Sequence, residues 1–246
     1  MLKKSLALVW NFFWKAALVF LGLSIITTLL FRWIPIPFTP LMGIRMVEQM
    51  VDGKKIKCSK DWEPIENISP NLPLAVVCSE DQLFMEHHGF DMKAIEKAME
   101  YNKKKKGKKV RGASTISQQT AKNVFLWQGR SWVRKGFEVY FTTLIELLWS
   151  KERIMEVYLN VIEMGDGVYG AQAASKEFFN KDAKKLSQAE AALIAAVLPN
   201  PRKWSPSRPS KYVKKRENWI LRQMNYHGGK IELEPDEEEG DDAPAK

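Results

Sequence analysis

The stretch ISPNLPLAVVCSEDQLFMEHHG, residues 68–89, joins a long apolar run to a group of acids and two histidines. The apolar run predicts a buried helix that opens at Pro73 and ends near Gly89. Glu80 lies one helical turn from apolar residues on both sides, such as Val76 and Phe84. A carboxylate in that position is either a structural hydrogen-bond acceptor or a catalytic base, and periodicity alone leaves both interpretations open.

The histidines of this stretch do not have the spacing of a metal site. His87 and His88 are adjacent, so on a helix they point in different directions, and the H-E-x-x-H spacing is absent. We expect them to be mainly scaffold, with His87 steadying the turn into Gly89. Cys58 and Cys78 either form one disulfide or remain two small buried residues, and the apolar run around Cys78 favours burial.

Helical periodicity continues through most of the remaining chain. It predicts a helix capped by Asp91, one that begins at Ser114 or Thr115, and a long amphipathic helix over residues 132–149. Further helices are predicted at 151–162, 171–179, 188–198 and 211–224, with SQAE at 187–190 as a capping box and EMGDGVYG at 163–170 as a glycine-rich loop. No strand alternation and no internal repeat is visible. The sequence therefore predicts a mainly α fold.

Charge is distributed unevenly along the chain. The net charge is +9, but residues 231–246 carry eight acids and one lysine, so the rest of the chain stands at +16. So basic a body indicates an anionic partner, which could be nucleic acid, phosphate groups or a membrane surface. The acidic tail itself is expected to be disordered.

The N-terminus favours the membrane among these partners. An apolar run from Leu6 to Ile34 is long enough to cross the hydrocarbon core as a helix, and no small-residue cleavage site follows it. Lys3 and Lys4 precede it, so the positive-inside rule favours a cytoplasmic N-terminus and a body outside, although Arg32 and the basic body on the other side of the span act against this charge argument. We therefore predict a single-pass protein of the inner (plasma) membrane with its main body on the periplasmic, or extracytoplasmic, side.

These features divide the chain into four parts. Residues 1–35 form the cytoplasmic start and the transmembrane anchor, and 36–63 form a juxtamembrane linker rich in proline at its start. Residues 64–228 form the main helical body, and 229–246 form the acidic tail.

A second polar cluster lies in RGASTISQQTAKN, residues 111–123. Thr115, Gln119 and Lys122 fall at i, i+4 and i+7 on one helical face, and Ser114 and Gln118 form the adjacent row. Free backbone N–H groups at a helix start, together with the lysine, suit an anion such as phosphate. The alternative is a polar face in water, which would more often mix glutamate with lysine.

A third cluster lies in SWVRKGFEVY, residues 131–140, where Arg134 and Glu138 are four residues apart and Lys135 adds a second cation. Taken alone, such a pair is a surface ion pair that contributes little. Together, the three segments offer two carboxylates, several amides and hydroxyls, and three cations. That set suits general-base catalysis on a substrate whose leaving group carries phosphates.

At this point the sequence resembles a known family. SEDQLFMEHHGFD, RGASTISQQTAKN, RKGFE and KERIMEVYLNVIEMGDGVYG match, in order, four motifs of the peptidoglycan glycosyltransferases (glycosyltransferase family 51), and LSQAEAALIAAVLPNPRKWSP looks like the fifth. The match runs from about Pro64 to Met224. Motifs of this length in this order are highly specific.

The resemblance implies a lysozyme-like helical glycosyltransferase domain that polymerises lipid II by inverting transfer, with release of undecaprenyl pyrophosphate. Glu80 matches the catalytic base of that family and Glu138 its second essential carboxylate. The resemblance places the following residues around the substrate and its pyrophosphate: Arg111, Ser114, Thr115, Gln118, Gln119, Lys122, Asn123, Arg134 and Lys135.

The resemblance also implies cofactor and partners. Members of the family often use a divalent ion such as Mg²⁺, although no acid-rich cage in this sequence demands one. The expected partners are lipid II, the growing glycan strand, the membrane, and cell-wall synthesis or division proteins, with no nucleic acid. No S-x-x-K or K-T-G motif is present, which predicts a monofunctional chain without a transpeptidase domain.

Three alternatives remain at this point. A lytic transglycosylase or muramidase would also use one catalytic glutamate, but it needs no cations for a pyrophosphate. An inert membrane scaffold would explain the anchor and the basic body but not both carboxylates. A nucleic-acid binder would face its partner from the wrong side of the membrane.

Overall fold

The computed structural model describes residues 2–105, 112–129, 131–229, 231 and 233. In these residues the helices are α1 (Leu2–Leu30), α2 (Pro40–Val51), α3 (Asn71–Glu80), α4 (Met92–Lys104), α5 (Ile116–Phe125), α6 (Trp132–Leu148), α7 (Lys151–Val161), α8 (Ala171–Phe179), α9 (Gln188–Val197) and α10 (Lys211–Tyr226). The strands are β1 (Ser59–Lys60), β2 (Glu163–Gly165) and β3 (Val168–Tyr169). The predicted fold class, mainly α and lysozyme-like, is confirmed.

Helices α3 and α9 form the centre of the domain. Every residue from Leu72 to Cys78 in α3 is buried, as is every residue from Ala191 to Val197 in α9. A helix that is apolar on all faces must be covered on all sides. The two helices pack against each other, and α10 packs on both. The C-terminal end of α3, where Glu80 lies, is therefore held by its neighbours.

The end of α3 differs from the prediction. The helix begins at Asn71, with Pro73 as its third residue, and it ends at Glu80 rather than near Gly89. Asp81 leaves the helix at φ −160°, and its carboxylate accepts a hydrogen bond of 2.9 Å from the backbone N–H of Ile116. That contact joins segments far apart in sequence, so local periodicity does not reveal it.

Side-chain caps set the start of several helices as predicted. Asp91 accepts from a backbone N–H in the first turn of α4. Thr115 and Gln118 form a capping box at α5, and Ser187 and Glu190 form another at α9. Each such cap contributes about 0.5–2 kcal/mol to the stability of the folded protein. The cap at Thr115 also fixes where the polar face of α5 begins.

The segment predicted as a glycine-rich loop at 163–170 contains strands. β2 and β3 pair antiparallel, and β1 pairs parallel with β3, in the order β1-β3-β2. The prediction of no strands is wrong here, because strands of two or three residues are too short for alternation to show. Gly167 turns the hairpin at φ +68°, and a Cβ there would lie 2.3 Å from the carbonyl oxygen of Lys57.

The N-terminal helix packs along α6. Phe20 lies against three aromatic rings of that helix: Phe137, Tyr140 and Phe141. The indole N–H of Trp149 donates to the carbonyl oxygen of Thr28 over 2.8 Å. Residues Trp10–Leu30 are long and apolar enough to cross a membrane, and most of this segment is exposed. One end of a candidate membrane helix is thus packed against α6 of the helical body.

The segment predicted as a linker, 36–63, contains α2, which is capped by Thr39. The boundaries of the four predicted parts stay predictions. Apart from residues 229, 231 and 233, the acidic tail lies outside the described residues. Cys58 is an exposed free thiol, and Cys78 is a buried one, as its apolar surroundings predicted.

Candidate active site

Glu80 is the last residue of α3, and its carboxylate is held on both oxygens. Oε1 accepts from the hydroxyl of Ser79 over 3.1 Å, and Oε2 accepts from the side-chain amide of Gln119 over 3.2 Å. Only 15% of the Glu80 side chain is exposed. The carboxylate is thus oriented by α3 and α5 and still reaches the solvent. A base needs this combination, because it must be fixed and accessible to a substrate hydroxyl.

The amide of Gln119 is itself oriented by Tyr158. The Tyr158 hydroxyl donates to Gln119 Oε1 over 3.3 Å. Tyr158 is fully buried, and burial raises the pKa of its hydroxyl well above the usual range, so it stays a donor. Because Oε1 faces this donor, the amide NH₂ of Gln119 faces Glu80. The sequence motifs did not single out Tyr158, since only the fold brings α7 to this place.

Asp81 and His87 secure the turn that follows Glu80. Asp81 is buried and lies 2.9 Å from His87 Nε2. The backbone N–H of Gly89 donates to His87 Nδ1 over 3.2 Å. Since Nδ1 accepts, the hydrogen-bond network assigns the proton to Nε2, which donates to Asp81. The expected contact between His87 and the turn at Gly89 is present, and the histidine is scaffold.

The second carboxylate, Glu138, lies between two cations on the first turns of α6. Its oxygens are 2.8 Å from Arg134 Nη1 and 2.5 Å from Lys135 Nζ. The Glu138 side chain is only 4% exposed, so this is not the weak surface pair that the spacing alone would allow. The Nε atom of Arg134 is buried and has no hydrogen-bond partner among the described residues. Glu138 thus fixes two cations, and one of them keeps a free donor.

Lys122 connects the two carboxylates. Burial lowers the pKa of this lysine, while the charges of Glu138 and, more weakly, Glu80 act in the opposite direction. The positive charges of Arg134 and Lys135 lower the pKa of Lys122 as well. Lys122 therefore lies within electrostatic reach of both Glu80 and Glu138, and we call the region that these three residues share the cleft. We call Lys122, Arg134 and Lys135 the cation cluster.

Other predicted residues of the second motif have structural contacts. The Thr115 hydroxyl donates to the carbonyl oxygen of Gly89 over 2.7 Å and caps α5. Gln118 Oε1 accepts from the backbone N–H of Thr115 over 3.1 Å. These two side chains hold the start of α5 in place, which positions Gln119 and Lys122 one and two turns further along.

The remaining predicted residues lie in different surroundings. Ser114 is exposed and lines a cavity beside Glu80. Asn123 is buried, and its Nδ2 atom has no hydrogen-bond partner among the described residues. Arg111 lies outside the described residues.

The donor set of the cleft does not fit a divalent ion held by the protein. Among the described residues there is no group of three His, Cys, Asp or Glu side chains that could hold a metal. Glu138 faces two cations, and Glu80 faces a hydroxyl and an amide. The role of Mg²⁺ stays a prediction, and no chemical step is derived through it.

Arg216 of α10 is a residue of the site that the motifs did not indicate. Its Nη2 atom donates to the Ser79 hydroxyl over 2.9 Å and lies 3.9 Å from Glu80 Oε1. Its Nε atom is buried and unpartnered among the described residues. In the sequence Arg216 is one of five basic residues in α10, so no local signal distinguishes it.

An Arg216→Met variant should turn over its substrate about tenfold more slowly, since hydrogen bonds to charged groups contribute ~1.5–3 kcal/mol. Arg216→Lys should recover part of this loss, because an ammonium group can still reach Ser79. Steady-state turnover rates would measure both variants. Arg222→Met, an exposed change on the same helix, is the control and should behave as the parent does. Equal rates for Arg216→Met and the parent would show that Arg216 has no part in positioning Glu80.

Comparison with known proteins gives a consistent result. A family model described as transglycosylase matches residues 48–225. Biosynthetic peptidoglycan transglycosylase of Pseudomonas putida (strain GB-1) is 57% identical over 215 residues, covering 87% of this chain and 90% of the relative. The protein of the same name from Bacteroides thetaiotaomicron is 59% identical over 206 residues, covering 84% of this chain and 82% of the relative. The Glu80 and Glu138 clusters both lie inside the matched range.

Proposed function

The chain belongs to the transglycosylase family and is a glycosyltransferase that acts on peptidoglycan, and we propose that it polymerises lipid II into glycan strands with release of undecaprenyl pyrophosphate. One observation carries this proposal. An oriented, accessible carboxylate, Glu80, lies within electrostatic reach of Lys122, and Glu138 holds the other two members of the cation cluster. A base beside a set of cations suits transfer of a sugar away from a pyrophosphate.

In the proposed reaction Glu80 takes the proton of the acceptor sugar's 4-hydroxyl. The hydroxyl oxygen forms the new bond to the anomeric carbon of the donor, and the bond from that carbon to the pyrophosphate oxygen breaks. A retaining enzyme would need a second carboxylate as nucleophile. Glu138 does not suit that role, because both of its oxygens face cations. A single displacement with inversion follows.

The cation cluster stabilises the charge that grows on the leaving pyrophosphate. Stabilising groups of this kind commonly contribute roughly 10²–10³-fold in rate each. Arg134 presents a buried Nε donor without a partner, which an oxygen of the pyrophosphate can satisfy. Glu138 acts on the pyrophosphate only through the two cations it fixes.

The dependence of activity on pH should reveal the loss of the proton from Lys122. Its cation is the working form, and burial lowers its pKa, so activity should fall as the pH rises through that lowered pKa. Lys122→Arg should move this alkaline limb of the kcat/KM profile to higher pH, because a guanidinium stays charged. Lys176→Arg, an exposed change, is the control. An alkaline limb that stays in place in Lys122→Arg would assign it to another group.

The decisive assay is incubation of the full-length protein with purified lipid II in detergent. A polymerase gives a ladder of long glycan strands that a muramidase then digests to disaccharide units. A muramidase or lytic transglycosylase gives no strands from lipid II and shortens strands that are supplied. A scaffold protein leaves both substrates unchanged. Either of the last two results would overturn the proposed function.

The proposal includes anchoring by α1 in the inner (plasma) membrane, with the catalytic domain on the periplasmic side. The apolar span Trp10–Leu30 supports this, and so do the exposed apolar side chains Trp132 and Val133 beside the cation cluster, which suit a lipid-linked substrate. Contacts with cell-wall synthesis or division proteins remain a prediction.

Cys58 offers a test of this orientation, because it is an exposed thiol directly before β1, which pairs with β3 of the catalytic domain. A membrane-impermeant maleimide should label it in cells whose inner membrane is intact and whose outer barrier has been opened. A Cys58→Ser variant, which keeps only the buried Cys78, should remain unlabelled. Labelling that appears only after the inner membrane is permeabilised would place the domain in the cytoplasm.

A further inference from the structure

An exposed row of alternating aromatic and basic side chains runs along α10. Residues three and four positions apart lie on one face of a helix, and at each such step along this face an aromatic residue is followed by a cation or a cation by an aromatic residue. We call this row the α10 stripe, and its members, all exposed, are Tyr212, Lys215, Trp219, Arg222 and Tyr226. The opposite face of the helix is buried against α3 and α9. The stripe is therefore presented to the outside by a fixed element.

The three aromatic residues of the stripe are each seven positions apart. Seven residues of α-helix rise about 10.5 Å, which is close to the length of one disaccharide unit in an extended β-1,4-linked glycan. Alternate rings of such a strand present the same face, so Tyr212, Trp219 and Tyr226 can each stack on every second ring. Flat aromatic side chains of this kind bind with little loss of conformational entropy. The spacing of the aromatic residues thus matches three successive disaccharide units.

The two cations of the stripe, Lys215 and Arg222, are also seven positions apart. Neither has an ion-pair partner among the described residues. The only acid of the helix, Glu217, is buried and lies 2.9 Å from Lys214 instead. In peptidoglycan each disaccharide unit carries one peptide stem, which offers free carboxylates. One cation for every seven helical residues therefore matches one anionic group for every disaccharide unit.

The stripe begins beside the site of bond formation and continues away from it. Trp219 lines the cavity beside Glu80, whereas the other four members are not among the described residues that line it. Tyr212 is steadied by Trp204, with the ring centroids 5.1 Å apart, and Trp204 packs against the hydrophobic core. A strand that leaves the cavity can thus continue along the outside of α10.

We propose that the α10 stripe binds the polymerised glycan strand outside the cleft. Its aromatic residues stack on successive disaccharide units, and Lys215 and Arg222 contact the carboxylates of the peptide stems. The inference rests on the proposed function, because it assigns a holding site to the product of that reaction. A strand held there stays with the enzyme between successive transfers. Turnover of lipid II does not depend on the four members that lie outside the cavity, since none of them touches the reacting atoms.

The test measures how strand length affects binding. Full-length protein in neutral nanodiscs is titrated with labelled, lipid-free glycan strands of one, two, three or four disaccharide units, each with its peptide stems. These strands carry no pyrophosphate, so no transfer occurs during the titration. Each unit up to the third should raise the affinity about fivefold, which is the scale of one aromatic contact. The fourth unit should add little, because the stripe has no fourth aromatic residue.

Tyr226 gives the sharpest variant, because it is the last residue of α10 and its side chain is 81% exposed. Tyr226→Ala should bind the three-unit strand about fivefold less tightly than the parent does. Tyr226→Phe should keep the parental affinity, because the ring remains. Both variants should turn over lipid II at the parental rate, and thermal melting checks that both are folded.

Lys215→Gln tests the contact with the peptide stems. It should lower the affinity for the three-unit strand about threefold, a modest effect because exposed charge pairs are screened. With strands whose stem carboxylates are amidated, this variant and the parent should bind equally. Lys184→Gln, an exposed change outside α10, is the matched control and should bind every strand as the parent does. A loss in Lys215→Gln that is equally large for amidated strands would refute the contact with the stems.

Failure of this inference is distinguishable from failure of the proposed function. If the parent makes no glycan from lipid II, the proposed function fails. If the parent polymerises but binds one-unit and three-unit strands equally, or if Tyr226→Ala keeps the parental affinity, the α10 stripe is not a strand site. The titration is then repeated in nanodiscs of phosphatidylglycerol. If the gain with strand length disappears there, the stripe lies on the membrane surface, and the proposal is overturned.

Discussion

A Glu80→Gln variant is expected to form no glycan strands from lipid II, with a fall in initial rate of about 10²–10⁴-fold, the usual contribution of a general base. The amide cannot take the proton of the attacking hydroxyl. Its shape is nearly that of the carboxylate, so the cleft should keep its form and the variant should still bind lipid II. The rate is measured from labelled lipid II consumed per unit time, and binding is measured separately.

The surroundings of Glu80 indicate that this variant will fold. The amide oxygen of the new glutamine can accept from Gln119, and its NH₂ group can donate to the Ser79 hydroxyl. That hydroxyl can in turn donate to the carbonyl oxygen of Ala195, 3.3 Å away. Glu86→Gln makes the same chemical change at an exposed position and should retain parental activity. A Glu80→Gln protein with near-parental rate would refute the assignment of Glu80 as the base.

The sequence was informative where the relevant geometry is local. The i, i+4 spacing of Arg134 and Glu138 predicted a pair, and the pair is present. The polar face of α5 placed Gln119 and Lys122 together, and both reach the cleft. These relations depend only on helical periodicity, which a single segment contains.

Other parts of the site depend on contacts between distant segments. Tyr158 orients Gln119 from α7, and Arg216 reaches Ser79 from α10, although both lie far from α3 and α5 in the sequence. The end of α3 at Glu80 also depends on such a contact, between Asp81 and the backbone of α5. Periodicity carries no information on contacts of this kind, so it extended α3 too far and left both residues unnoticed.

The environment of each carboxylate separates their roles. Glu80 accepts hydrogen bonds from a hydroxyl and an amide, with the Arg216 guanidinium at 3.9 Å, and stays open to substrate, whereas Glu138 directly contacts two cations and is almost closed to solvent. The same residue type is a base in one place and an organiser of positive charge in the other. Sequence spacing suggested an ion pair at Glu138 but could not show its burial, which decides whether the pair matters.

A Glu138→Gln variant should lose about 10²–10³-fold in kcat/KM, because the cations that stabilise the leaving group lose their anchor. An amide offers one oxygen for Arg134 and Lys135 together, and its NH₂ group repels whichever cation it faces. The variant should also be less stable than the parent, since removing one partner of a buried ion pair commonly lowers the free energy of unfolding by ~3–5 kcal/mol. The Lys135 side chain is 40% exposed, so it can turn to solvent, which reduces this loss of stability.

Glu156→Gln provides a matched control for that variant. Glu156 pairs with Arg153 on α7, and the side chains are similarly buried, with 14% of Glu156 and 12% of Arg153 exposed. Removing the Glu156 charge should therefore lower the melting temperature, while the activity of the protein that remains folded should stay near parental. Inorganic pyrophosphate gives a second distinction. It should raise the melting temperature of Glu138→Gln more than that of the parent or of Glu156→Gln, because the anion replaces the missing negative charge between two cations. If pyrophosphate stabilises all three proteins equally, the cations that Glu138 holds do not form the pyrophosphate site, and the leaving group must lie elsewhere in the cleft.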